Sequence, residues 1–224
     1  MACAQEPLLA PFAPAAGEPA PPWHVVGLPR QTKPFTKFSV VEIDGRRALR
    51  VAAEESYGNL VHSLNLAGVG LKLSWQWRVD RLVAAANLRE RSGDDVALKV
   101  CVLFDVPLSS VPFLERQVLR VARSQSAQPL PAATVCYVWD GELPAGSSLN
   151  NAFTSRLRYI VLQNGPAKLQ QWIDEQRDIG ADFMKLFGSE VSALPPVIGV
   201  AVGADADNTR GRSLGFVANL VLQP

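Results

Sequence analysis

Long apolar runs are missing from this sequence. No stretch reaches the roughly 18 residues that a membrane-spanning helix needs, so no membrane span is expected. Its start has no basic segment followed by an apolar stretch, which predicts no intact signal peptide. Charge is scarce: 19% of the 224 residues are Asp, Glu, Lys or Arg, and the net charge is +1. That balance gives no bulk pull toward nucleic acid or an anionic membrane, and nucleic-acid partners are not expected. The low charge also argues against disorder and long solvated helices. Only two histidines, His24 and His62, are present, and neither sits beside a serine or cysteine in a nucleophile motif. The sequence has no Gly-x-Ser-x-Gly elbow, Walker loop, Gly-x-Gly-x-x-Gly or His-Glu-x-x-His. Nucleophilic, nucleotide-dependent and zinc-protease mechanisms therefore lack sequence support.

Cysteine is also sparse. Cys3, Cys101 and Cys136 show no metal-ligand spacing. Cys101 and Cys136 each lie in an apolar, strand-like run, and both read as small buried hydrophobes. A disulfide between two neighbouring strands is the alternative. Cys3 lacks the preceding apolar run of a lipid-anchor signal.

What is abundant is apolar material with a two-residue period. Hydrophobic residues are 48% of the chain, enough for a sizeable core. Residues 5–22 are rich in Pro and Ala without periodicity, which predicts an extended leader over 1–22 ahead of one domain over 23–224. The stretches Phe35–Ile43 and Ala48–Ala52 flank Asp44-Gly45 and predict a hairpin. Leu71, Leu73, Trp75, Trp77 and Val79 alternate with Lys72, Ser74, Gln76 and Arg78, the pattern of a half-buried strand. Further strands are expected at Leu60–Leu66, Val96–Phe104, Thr134–Trp139, Arg156–Leu162, Val197–Val202 and Leu214–Leu222. Helical spacing of Val111, Leu114, Val118, Leu119 and Val121 predicts one short helix, and Asp178–Phe187 a second. No strand–helix–strand alternation is visible. The expected fold is all-β and mostly antiparallel, a two-layer β-sandwich of jelly-roll type with one or two short helices.

A series of short motifs spans the chain from about Phe35 onward: Leu73-Ser74-Trp75-Gln76-Trp77-Arg78-Val79, Gly93-Asp94-Asp95, Tyr137-Val138-Trp139, Gln171-Trp172 with Arg177-Asp178, Asp182 before Phe187-Gly188, and Asp205-Ala206-Asp207-Asn208-Thr209. In order and spacing they resemble a bacterial family known as domain of unknown function 3047. Members of that family look exported, so the resemblance implies a periplasmic or secreted setting. It implies no catalytic residues.

Four groups of residues are candidates for chemistry. Asp205, Asp207 and Asn208 put three oxygen-bearing side chains within four positions, a donor set suited to Ca²⁺. The Gly and Glu of an EF-hand are absent, since those positions hold Arg210 and Phe216, and an Asx-rich turn is the preferred reading. Adjacent carboxylates Asp94 and Asp95 point to opposite faces of an extended backbone, a poor acid/base pair unless another loop contributes a partner. Arg177, Asp178 and Asp182 suit ligand binding or, preferably, an ion-pair network. Trp75 and Trp77 share a face with Leu71, Leu73 and Val79 and are expected in the core, whereas Trp139, preceding a loop, is the better exposed aromatic. The acidic segments are expected to gather at one rim, with Arg177 or a cation neutralising them.

These features favour a non-catalytic binding module of the cell envelope that recognises a glycan or similar polar polymer through Trp139, Asp94, Asp95, Arg177, Asp178 and Asp182. A carboxylate-based glycan-active hydrolase is one alternative. A structural domain that binds an envelope protein is the other.

Overall fold

The computed structural model describes residues 7–125 and 130–224. Residues 1–6 of the leader, Cys3 among them, fall outside that range. Strand β1 (His24–Val26) is followed by the hairpin of β2 (Lys37–Ile43) and β3 (Arg46–Glu54). Asp44 and Gly45 both adopt positive φ, 51° and 71°, as a two-residue hairpin turn demands. Next come β4 (Tyr57–Leu66), β5 (Lys72–Arg81) and β6 (Val96–Phe104). Helix α1 (Phe113–Gln125) leads to β7 (Ala133–Asp140), β8 (Ser148–Asn150), β9 (Leu157–Asn164) and β10 (Ile173–Asp178). Helix α2 (Ile179–Phe187) starts on an Asp178 cap that accepts from the Ala181 amide at 2.9 Å. Strands β11 (Val197–Asp205) and β12 (Arg212–Gln223) close the chain.

The strands form two sheets, ordered β1-β4-β11-β6-β7-β9-β8 and β10-β5-β12-β3-β2. Every pairing is antiparallel except β7 with β9. The result is a two-layer β-sandwich of jelly-roll type, as the alternation predicts. Among the described residues no helix is long and apolar enough to cross a membrane.

Aromatic side chains fill the space between the layers. Trp75 and Trp77 both face inward from β5, with rings 5.6 Å apart and edge-on. They meet Tyr137 at 5.3 Å and Trp139 at 5.9 Å across the gap. Two sheets facing each other at ~10 Å leave room for such rings. Trp139 is only 1% exposed, and its indole N–H donates to the Gly165 carbonyl at 3.2 Å. The expectation of an exposed Trp139 is therefore wrong. Its position before a loop said nothing of its strand face, and that face is the interior.

The seven-stranded sheet is buried on its other face as well. There Val61, Cys101, Cys136, Val138, Tyr159, Val161 and Ala201 form a second apolar layer covered by Leu88 and Leu143. Burial on both faces explains why β6 and β7 read as continuous apolar runs rather than alternating ones. Cys101 and Cys136 stand directly opposite each other in β6 and β7, Cα atoms 4.0 Å apart, and are joined in a disulfide. This corrects the preferred reading of two free buried thiols. Strand pairing across 35 residues is a tertiary fact that the two local runs do not carry.

The leader lies against the sandwich. Leu9 and Ala13 are buried in the main core. The Trp23 indole donates to the Ala10 carbonyl at 2.9 Å, and the Ala10 amide donates to His62 Nε2 at 3.1 Å. Gly17 pairs with Val40 through an isolated bridge, so the leader borders β2.

Candidate functional site

Two acidic motifs distant in sequence meet at the β6–β11 pairing. Asp205 ends β11 and pairs in register with Val96, the first residue of β6. Its carboxylate accepts from the Val96 amide at 2.8 Å and from Lys99 Nζ at 3.1 Å. Lys99 is 2% exposed and lies 5.0 Å from the Tyr57 ring. Gly203 precedes this point on β11, where a Cβ would meet the Gly58 carbonyl oxygen of β4 at 2.7 Å. The close approach of β4, which carries Tyr57 and Asn59 to the cluster, thus requires glycine.

The segment before β6 completes the arrangement. Asp94 accepts from the Asn151 side-chain amide and from the Tyr159 hydroxyl, the latter at 3.3 Å. Asp95 accepts from the Asn208 amide at 3.1 Å, the Thr209 amide at 2.8 Å and the Thr209 hydroxyl at 2.5 Å. Asn208 also donates through its side chain to the Asp94 carbonyl at 3.1 Å. Asp94 and Asp95 therefore do different work. Asp95 holds the turn after β11 in place, while Asp94 faces Tyr159 and Asn151.

Burial sets the electrostatics. It pushes the Asp205 carboxyl up to about 6, and Lys99 only partly offsets this. It raises Asp94 too, against the pull of Lys99 and the Asn151 amide. Burial works against the Lys99 ammonium, yet Asp205 and Tyr57 leave it above the usual lysine range. Near neutral pH the Lys99–Asp205 pair is thus ionic, and below about 6 Asp205 takes a proton. Tyr57, Asn59, Asn151 and Asn208, all half-buried, border the cluster.

The proposed calcium donors have separate partners. Asp205 is held by Lys99 and Val96, and Asn208 directs its amide hydrogens at Asp94 and Asp95. Asp207 pairs with the half-exposed Lys33 at 3.2 Å. Among the described residues no group of three or more His, Cys, Asp or Glu side chains is arranged to hold a metal ion.

Arg177, Asp178 and Asp182 form their own assembly. Arg177 grips both oxygens of Asp182 at 2.8 and 2.6 Å, and Asp182 also accepts from the Tyr137 hydroxyl at 2.9 Å. Asp178 caps α2. Among the described residues no hydrogen bond or ion pair joins this assembly to the Asp94–Asp205 cluster, and the cation that faces Asp205 is Lys99, not Arg177. Lys99, Tyr57, Tyr159 and Asn151 escaped the sequence reading. A lone lysine inside the apolar run Val96–Phe104 was the available signal for one of them.

The fold and this cluster define a jelly-roll β-sandwich with a buried acidic centre at one end of β6 and β11. The chain belongs to the DUF3047 family, described as a protein of unknown function, whose model matches residues 21–221. No curated protein matches the chain. Among solved structures it is similar to the xyloglucanase domain of NopAA, a type three effector from Sinorhizobium fredii, in complex with cellobiose. That match has 8% identity and a TM-score of 0.47, covering 90% of this chain and 92% of that one. The catalytic domain of Humicola grisea Cel12A matches at 11% identity and TM-score 0.43, covering 88% and 92%. A family 12 xyloglucanase from Bacillus licheniformis matches at 8% identity and TM-score 0.42, covering 89% and 99%.

The expectation of a non-catalytic glycan-binding module does not stand. Trp139, the aromatic on which a sugar was to stack, is inside the core.

Proposed function

We propose that this chain is a hydrolase acting on glycans, with the carboxyl groups of Asp94 and Asp205 dividing the acid and base work beside Lys99. One observation carries the reading: two acidic motifs converge where burial raises both carboxyls, Asp205 to about 6. Glycoside hydrolysis needs one carboxyl that holds a proton and one that is ionised, a division that unequal environments create. The Asp94 charge adds to the rise of the Asp205 carboxyl, and the Asp95 charge adds to that of Asp94. Lys99 stays cationic and draws both carboxyls down toward ionisation, against the burial that raises them. Half-buried Tyr57, Asn59, Asn151 and Asn208 supply the phenol and amide groups that suit sugar hydroxyls.

The test is reducing-sugar release from xyloglucan, cellulose and other β-glucans between about pH 5 and 7, the range around the Asp205 value of about 6. Activity is expected in the parent chain and a loss of about 10² or more in Asp205→Asn and Asp94→Asn. A folded parent that releases no sugar, or variants as active as the parent, would overturn the proposal.

The burial itself favours a second reading, a structural domain that binds another envelope protein. Asp94, Asp95 and Asp205 are 3%, 1% and 4% exposed, and their contacts tie the end of β11 to the segment before β6. On that reading the parent is inactive and the same substitutions lower the melting temperature.

A further inference from the structure

Helix α1 turns its apolar stripe away from the protein. Leu114, Val118 and Val121 follow one another at intervals of four and three, so they share one face. They are 77%, 69% and 56% exposed, and Phe113 at the start of the helix is 65% exposed. Leu119 is the buried apolar residue of α1. Isolated exposed apolar side chains need no explanation, but Leu114, Val118 and Val121 lie side by side along one face of one helix, with Phe113 at its start.

The charges of α1 are sorted as well. Its one acid, Glu115, faces the body, where it pairs with buried Arg156 at 2.6 Å and accepts from Ser155. Arg116 donates to the carbonyls of Val111 at 2.9 Å and Ser109 at 3.3 Å, contacts that leave its charge uncompensated. Arg120 is exposed and has no ion pair among the described residues. The outer surface of α1 therefore combines an apolar stripe with uncompensated cations and no free carboxylate.

We infer that α1 docks on an anionic lipid surface, lying in the plane of the headgroups with Leu114, Val118 and Val121 inserted. Interfacial helices have this construction: an apolar face to bury and basic side chains to meet lipid phosphates. The charge is local, which is why the near-neutral whole chain does not announce it.

The experiment is co-sedimentation of the full chain with phosphatidylcholine vesicles, with and without about a third phosphatidylglycerol. Binding is expected on the anionic vesicles and is weakened by salt. Leu114→Ser combined with Val118→Ser should lower the bound fraction at least about tenfold, because two inserted aliphatic side chains are lost. Arg120→Glu should remove the preference for anionic lipid. Both changes are at exposed positions, and an unchanged melting temperature confirms the fold. Three results would overturn the inference: no binding to anionic vesicles, full binding by the double serine variant, or a parent dimer that the double variant dissolves.

Discussion

Lys99 Nζ and Asp205 Oδ2 lie 3.1 Å apart on neighbouring strands, with side chains only 2% and 6% exposed. An ion pair this deep is not free stabilisation. Removing both charges from water costs several kcal/mol per ion, and the attraction between them does little more than offset that. Breaking one side is different, because an uncompensated charge then stays in the core.

This predicts a specific double-mutant pattern. Lys99→Met alone and Asp205→Leu alone should each cost about 3–5 kcal/mol. The two together should recover most of that loss. Denaturant unfolding of the four proteins at neutral pH measures the coupling. Additive losses would mean that the pair is not the unit the geometry describes.

A pH dependence follows from His62. Its Nε2 accepts the Ala10 amide hydrogen, a role open only to the neutral ring, and its Nδ1 lies 3.0 Å from the Ser63 carbonyl. Burial holds its pKa below the usual histidine value, with His24 adding to the effect. The folded state therefore resists protonation more than the unfolded chain does. The stability tied to His62 is complete above about pH 6.5, the unfolded value, and declines as pH falls through the folded value. Asp205, raised to about 6, works in the opposite sense: ionising it as pH rises from 3.8 costs stability. Comparing His62→Gln with the parent isolates the histidine. The parent should lose melting temperature faster than the variant as pH drops from about 7 to 5. Parallel curves would refute this.

The Cys101–Cys136 bond should contribute measurably to stability. It closes a loop across 35 residues of sequence, for which loop entropy predicts about 4 kcal/mol. A Cys101→Ala/Cys136→Ala double variant is expected to unfold at clearly lower denaturant, and reductant should bring the parent toward it. An insensitive parent would show that the two thiols are not joined in solution.

Trp139 separates core from surface. Its ring packs 5.9 Å from that of Trp77 between the sheets. Trp139→Ala should cost about 3–5 kcal/mol, the range for emptying a large core site. A loss under about 1 kcal/mol would place the ring outside the core.

The alternation of Leu73, Trp75, Trp77 and Val79 was enough to assign β5 and its buried face, because side chains on an extended strand repeat every two residues. Asp44-Gly45 likewise specified its hairpin, since the turn needs two residues that tolerate positive φ. The segment Asp178–Phe187 read as a short helix, and Asp178 caps it through chemistry local to four residues. All of these are short-range relations, and a sequence carries short-range relations in plain view. Lys99 meeting Asp205 required β6 and β11 to become neighbours, and Cys101 meeting Cys136 required β6 beside β7. Trp139 entered the core, and α1 turned Leu114, Val118 and Val121 outward, for the same kind of reason. Periodicity says which residues share a face, but only the packing of one layer on another decides which face is covered.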